Sequence, residues 1–468
     1  MSLKLQFIHG VSWTTLSKGT LASVSILQII ILARFLDHED FGLFATVSVI
    51  LGLAAFFVEA GLGSAIIHKQ DADPVQLGTA RWINLCLGFV VFLVVFSSAW
   101  AVASFYDEPR LKSLIQLSSI IFLVQPFAIL PNALLQKGFC FKELALVDIA
   151  GVLAGFCLAV WFALNGYGVL ALIFSQIFST ITRTLLLIIF ELRRFGAHWR
   201  FSLEESKFYL RFGGFQIGEN TVNYFNTQVD VILIGKILGQ EALGLYYLAK
   251  QLVFRPVGII NPVITQVAMP AFAKIQGEEV RLKRAFLQMV HTLATVHFAV
   301  YLLLACFSNE IVAIFLGEKW EGTAVLVSIL SFYVLQRAIG NPVGSLLMAK
   351  GRVDLGFYWN LAVLFYTPLV VWVGVSWGLE GVAWGLVLGT IVLQPSGWYF
   401  LIRPLSGASF AEYFGPIMRI AGLAALSFGV LFFLENVIVK VALACAGTLL
   451  YLWWNRSILE AAMPRRVK

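Results

Sequence analysis

The stretch from Arg211 to Lys236 reads RFGGFQIGENTVNYFNTQVDVILIGK. Its length and apolar flanks are those of a membrane-crossing helix. Within it Gln216, Glu219, Asn223, Asn226 and Asp230 recur at steps of three, four, three and four, which places them on one helical face. Phe215, Ile217, Val222, Tyr224, Phe225, Val229, Val231 and Ile232 take the other faces. In a soluble helix such a stripe faces water. In a bilayer it must face a wet cavity or other polar helices, because lipid cannot solvate it. Hydrogen-bonded helix adhesion is the plainer use of such a stripe, but two carboxylates and three carboxamides are many for adhesion. We expect the stripe to line a wet cavity.

The composition agrees with a membrane setting. Of 468 residues, 59% are hydrophobic and only 13% charged, against roughly 25% charge in a soluble domain. Mean hydropathy is +0.86. An all-α polytopic membrane protein is expected. The net charge of +7 does not point to nucleic acid, because the basic residues lie in short loops rather than on one patch. Cys86, Cys140, Cys157, Cys306 and Cys445 are odd in number and irregular in spacing. They suggest neither a disulfide framework nor a metal site, and no cofactor is expected. The first apolar run, from about Val11 to Arg34, has spanning length and no clear small-residue cleavage site, so it reads as a span and not as a cleaved signal peptide.

At about 20 apolar residues per crossing, fourteen spans are legible. They run roughly over 11–34, 41–66, 81–104, 113–134, 145–164, 167–190, 212–236, 245–269, 285–307, 322–347, 356–377, 380–402, 413–434 and 436–455. With the N-terminus in the cytoplasm, most of the chain's 33 basic residues fall on the inner side, a few on the outer side and the rest within spans. The outer loops are acidic or bare, as at Asp37-His38-Glu39-Asp40 and Asp107-Glu108. This asymmetry predicts both termini in the cytoplasm. No loop is long enough for a globular domain. The largest, near 191–211, carries a segment, Leu203 to Leu210, expected to lie along the inner membrane face.

The chain repeats itself. Arg34, Leu36, Glu39, Gly42, Leu43 and Phe44 are echoed by Lys236, Leu238, Glu241, Gly244, Leu245 and Tyr246 at one constant offset. Gln28 matches Asp230, and Glu59 matches Asn261, at the same offset. Six spans separate the copies, so both have the same orientation, as in transporters built from parallel repeats. The expected organisation is a six-helix bundle over 1–195, a cytoplasmic linker over 196–211, a second bundle over 212–405, and two further helices with a cytoplasmic tail over 406–468.

Among the ionisable residues inside the spans are nine of particular weight: Lys18, Glu59, Asp148, Arg183, Glu219, Asp230, Lys250, Arg255 and Arg337. At roughly 2.5–3.5 kcal/mol each facing lipid, their sum of about 25 kcal/mol exceeds a typical folding stability of about 5–15 kcal/mol. Most must therefore face inward. Arg183 and Glu59 lie near cytoplasmic ends, where snorkelling is the alternative. Thr14, Lys18, Ser25 and Gln28 form a matching stripe in the first span. Lys18, Lys250, Arg255 and Arg337 would give a cavity the cations that suit a phosphate or diphosphate; pairing with Glu219 and Asp230 is the competing use. His291 and His297 read as hydrogen-bonded packing residues before they read as a proton relay. Pro126, Pro131, Pro256, Pro262 and Pro342 mark places where spans can bend. Motifs of hydrolases, metalloproteases and nucleotide-binding loops are absent. Asp71-Ala72-Asp73 has the form of a glycosyltransferase metal motif but sits in a short loop, so it reads as solvated loop.

Four stretches carry a family resemblance: FVEAGLGSAIIHK (57–69), PAFAKIQ (270–276), FLGEKW (315–320) and GNPVGSLLMAKGRVD (340–354). Together they resemble the polysaccharide transporter family of the multidrug/oligosaccharidyl-lipid/polysaccharide exporter superfamily, and within it the Wzx-type colanic acid exporter group. The resemblance runs over nearly the whole chain. It implies two six-helix bundles with two extra C-terminal helices. It also implies a bacterial inner-membrane flippase, not an enzyme, for undecaprenyl-diphosphate-linked oligosaccharides. Membrane lipids, a polysaccharide polymerase and its chain-length machinery are the implied partners, with a proton or sodium ion for coupling. On this reading Lys18, Lys250, Arg255 and Arg337 hold the diphosphate. Gln28, Gln216, Glu219, Asn223, Asn226 and Asp230 line the cavity, with Asp230 and Glu219 as ion-coupling candidates. The alternatives are a drug or metabolite antiporter of the same superfamily, which would prefer a carboxylate-dominated cavity, and a membrane polymerase or ligase, which would need a large outer loop.

Overall fold

The computed structural model describes residues 3–59, 62–63, 66, 73–196 and 198–458, with side chains from Ser12 onward except 207–220, 263–264 and 266–267. Every regular element among them is helical. The first eight helices are α1 Leu3–Phe35, α2 His38–Glu59, α3 Pro74–Tyr106, α4 Arg110–Ser119, α5 Ile121–Val124, α6 Pro126–Lys137, α7 Phe141–Leu164 and α8 Leu170–Arg194. Then come α9 Leu203–Ile237, α10 Gly239–Lys274, α11 Glu279–Cys306, α12 Ser308–Phe315, α13 Glu321–Gly340 and α14 Pro342–Ala349. The chain continues through α15 Val353–Val375, α16 Gly378–Gly397, α17 Arg403–Ser406, α18 Phe410–Phe428 and α19 Val437–Trp454.

Eleven described helical segments are long and apolar enough to cross a membrane, or twelve if the bent pair from Arg110 to Lys137 counts as one. The outward-facing side chains fit lipid: Trp100, Phe365, Trp372, Leu426 and Phe433 are 64% to 87% exposed. An aqueous protein would not leave so much apolar surface open. The chain is a multi-pass membrane protein. The expectation of fourteen spans additionally needs α9 and α10, 35 and 36 residues long, to cross.

Local chemistry sets where these helices start and bend. Asp73 caps α3: its Oδ1 accepts the Gln76 N–H at 2.7 Å, and Gln76 Oε1 accepts the Asp73 N–H at 3.2 Å. Pro74 opens the helix where its missing N–H costs nothing. Asp73 is therefore a helix cap, while Asp71 lies outside the described residues. Ser409 and Glu412 form the same reciprocal cap on α18. At Pro126 the span bends by 42°. Pro256, Pro262 and Pro270 instead lie inside one continuous helix, α10. The segment from Leu203 to Leu210 is not a separate surface helix: it is continuous with α9.

By backbone contacts the chain forms two compact units, Met1–Gly244 and Leu245–Lys468. In the first, α7 packs on α8 and α1. Gly151 and Gly155 let α7 approach closely, since a Cβ on Gly155 would sit 2.7 Å from the Ser175 carbonyl oxygen. Leu43, Val47, Leu51, Val95, Ala99, Leu111 and Ile115 form a core shared by α2, α3 and α4. Helix α9 packs on α2 and α3, and so counts with the first unit. At one end of it, Gly42 of α2 lies against the backbone carbonyl of Gln240, and Gly244 of α10 lies against that of His38. A Cβ at either glycine would collide with main chain.

In the second unit α11 packs on α13, and α13 on α16. Helices α15 and α16 meet where Gly374 and Gly381 face each other's backbone. The C-terminal helices attach to this unit through buried polar contacts. Lys440 Nζ lies 2.6 Å from Glu310 Oε1, and the Tyr451 hydroxyl donates to the Thr295 carbonyl at 2.9 Å.

Candidate functional site

The polar stripe that opened the sequence reading is split by its surroundings. Tyr224, on α9, reaches α2 and donates its hydroxyl to the Val49 carbonyl at 2.9 Å. Its ring meets Phe56 edge to face at 5.4 Å. This contact turns the following residues inward: Asn226 and Asp230 are 8% and 5% exposed, while Asn223 is exposed. Asp230 Oδ1 accepts the Val231 N–H at 2.9 Å. Gln216 and Glu219 lie outside the described side chains.

The remaining expected residues divide between the units. In the first, Lys18 is exposed and Gln28 Nε2 donates to Ser175 Oγ at 3.0 Å, tying α1 to α8. In the second, Lys250 is half-buried, and Arg255 reaches Gln251 Oε1 at 3.5 Å. Arg337 is exposed; its guanidinium donates to the Tyr333 hydroxyl at 2.8 Å. His297 is fully buried and meets Asn261 Oδ1 through Nε2 at 2.7 Å. Because Asn261 Nδ2 donates to the Ala338 carbonyl, its oxygen accepts, and His297 donates. Both groups serve packing among α10, α11 and α13.

Arg183 is paired within the first unit. Its Nε donates to Asp148 Oδ1 at 2.7 Å, and its Nη2 lies 3.5 Å from Asn132 Oδ1. Arg183 of this pair lines a partly open cavity of about 300 Å³ walled by α2, α5, α6 and α8. Ser48, Gly52 and Ala55 supply the α2 wall, at the four- and three-residue steps of one face. Gln176, Ser179, Thr180, Arg183 and Thr184 supply the α8 wall. The bend at Pro126 brings Gln125 and Ala128 into the lining. The cavity therefore gathers hydroxyls, carboxamides and one paired guanidinium inside an otherwise apolar bundle.

Two ion pairs, one buried and one partly buried, were not foreseen from sequence. Arg81 and Glu191, 5% and 1% exposed, pair between α3 and α8. Around them the segment after α8 is docked on α3. Arg81 lies 4.7 Å from the Trp199 ring centroid, Trp82 Nε1 donates to the Trp199 carbonyl at 2.9 Å, and the Ser202 N–H donates to Thr79 Oγ1 at 2.9 Å. The other pair is Lys440 with Glu310. All four charges stand at the ends of apolar runs, which was the only available signal, and their partners are remote in sequence.

Long apolar helices, internally paired charges and a polar cavity define a multi-pass membrane protein of transporter type. Its fold agrees. The solved structure "Lipid II flippase MurJ, inward closed conformation" superposes with a TM-score of 0.78 at 12% identity, covering 96% of this chain and 100% of that one. Residues 31–325 match the model of the family described as "Polysaccharide biosynthesis protein", and the chain belongs to that family. It is 32% identical over 414 residues to the lipopolysaccharide biosynthesis protein WzxC of Escherichia coli K12, spanning 88% of this chain and 84% of the relative. It is 31% identical over 475 residues to the teichuronic acid biosynthesis protein TuaB of Bacillus subtilis 168, spanning 99% and 97%.

Proposed function

We propose that this chain is a flippase that moves undecaprenyl-diphosphate-linked oligosaccharide units across the bacterial inner membrane, for exopolysaccharide, capsule or lipopolysaccharide synthesis. What carries the reading is one conjunction: a polysaccharide-biosynthesis family member whose fold is that of a lipid flippase. The physical role is transport without a covalent step. The cargo's sugars and diphosphate need a polar path through lipid, while its polyprenyl tail does not.

In this proposal the repeats rock in alternating access about a central cationic cavity. Lys18, Lys250, Arg255 and Arg337 hold the diphosphate by modest, distributed contacts, since a tight grip would prevent release. Asp230 and Glu219 carry the coupling ion, and both termini lie in the cytoplasm. The test is deletion of the gene followed by analysis of lipid-linked intermediates in each leaflet. The expected result is accumulation of complete units on the cytoplasmic side. An unchanged leaflet distribution would overturn the flippase reading and favour a small-molecule antiporter.

A further inference from the structure

The cavity in the first unit has hydrogen-bonding capacity that the protein does not use. Thr180 spends its hydroxyl on the Gln176 carbonyl at 2.9 Å. Thr184 is 3% exposed, and its Oγ1 has no hydrogen-bond partner. Among the described residues none bonds the side chains of Ser48, Gln125, Gln176 or Ser179, all of which line the same space. A polar group left unmade inside a bundle costs about 1–3 kcal/mol, which falls here on the buried Thr184 hydroxyl; Ser48, Gln125 and Ser179 are half-buried and Gln176 is exposed, so water or a ligand can reach them. Hydroxyls and carboxamides each offer donor and acceptor together. The matching ligand surface is one whose groups also both donate and accept.

Charge narrows the ligand further. The guanidinium on the wall is held by Asp148. One carboxylate against one Arg leaves no net positive charge for a phosphate. Leu51, Ile121 and Phe122 add an apolar wall, suited to the C–H face of a ring. The volume of about 300 Å³ stands at the small end of ligand pockets, about 300–1,000 Å³. It has room for one sugar ring.

We propose that this cavity is a docking site for one neutral sugar residue of the carried glycan, separate from the groups that hold the diphosphate. The inference rests on the flippase reading and assigns part of the cargo to Thr184, Gln125, Gln176 and Ser179.

The test uses the full chain in lipid nanodiscs with Ala55→Cys as a reporter inside the cavity. Labelling by N-ethylmaleimide is read at that position by peptide mass spectrometry, because five native cysteines are present. The probes are the methyl glycosides of glucose, galactose, mannose and N-acetylglucosamine, and inorganic pyrophosphate. At least one glycoside should slow labelling about threefold or more at saturation, and pyrophosphate should not. Thr184→Val, which keeps the shape, and Gln125→Leu should each remove the protection while leaving the protein monodisperse. A reporter that never labels, no protection by any glycoside, or protection by pyrophosphate alone would overturn the proposal. Transport of lipid-linked oligosaccharide by the wild-type chain in proteoliposomes is measured separately. Transport without protection sinks the sugar site alone; protection without transport sinks the flippase reading and leaves a sugar site.

Discussion

Asp230 shows how far a single position can be read from sequence. The spacing of the stripe identified it as polar within a span, and it is 5% exposed. What spacing could not show is that Tyr224, one position from the exposed Asn223, would dock on α2 and divide the stripe into buried and open parts. We expect Asp230→Asn to lower transport about tenfold or more, since an intramembrane charge is functional by default. The change keeps the oxygen that accepts the Val231 N–H, so the thermal midpoint should move little. Transport that is unchanged in rate and in ion dependence would remove the coupling role. Arg81 and Glu191 predict the opposite pattern. Truncating one member of a buried pair strands the other charge, at about 3–5 kcal/mol. Arg81→Ala should therefore lower the unfolding midpoint sharply. The double change Arg81→Met with Glu191→Leu should recover most of the loss, because it strands no charge. A double variant no better than Arg81→Ala would show that the stacking on Trp199 matters more than the ion pair. In the second unit, Arg255→Ala should abolish export at normal membrane levels if Arg255 holds the diphosphate. Arg255→Lys should be partly defective, because Lys lacks the planar fork.

Helices were the most legible feature of the chain, because a bilayer demands about 20 apolar residues at a time and little else meets that demand. Their bends were not. Proline gave the same signal at 126, 256 and 262, yet of these three Pro126 alone stands at a helix break; Pro256 and Pro262 are absorbed into α10. A proline frees a carbonyl one turn earlier, and neighbouring groups that are invisible in sequence decide whether the helix tolerates it. The bend at Pro126 is also seated against α3. A Cβ on Gly88 would lie 2.6 Å from the Phe122 carbonyl and would press into the Pro126 ring. Gly88→Leu is therefore expected to destabilise by about 1–3 kcal/mol through overpacking, measured by thermal unfolding. It should also disturb the cavity wall at Gln125 and Ala128. An unchanged midpoint would mean that α3 and the bend can separate freely. The cavity itself was beyond sequence reading, since its walls come from three separate stretches, 48–55, 121–128 and 176–184, whose only common signal is scattered Ser, Thr and Gln.

For the whole molecule, the repeat carried the most information. The matched pairs Gly42 and Gly244 were legible as a sequence echo before any packing was known. In the fold they answer each other, each lying against the backbone of the residue four positions before the other glycine. This crossing has an equilibrium consequence. A contact made by main chain against main chain has no flexible side chain to yield, so a methyl group at Gly42 acts against this conformation as a whole. Any conformation in which the two helix ends part is spared that cost. Gly42→Ala is thus a weight on the balance between states and leaves the cargo-binding groups untouched. At about 1.4 kcal/mol for each factor of ten, a penalty of about 3 kcal/mol would shift the populations more than a hundredfold. The protein would stay folded and keep its affinity for cargo, yet dwell on the wrong side of its cycle.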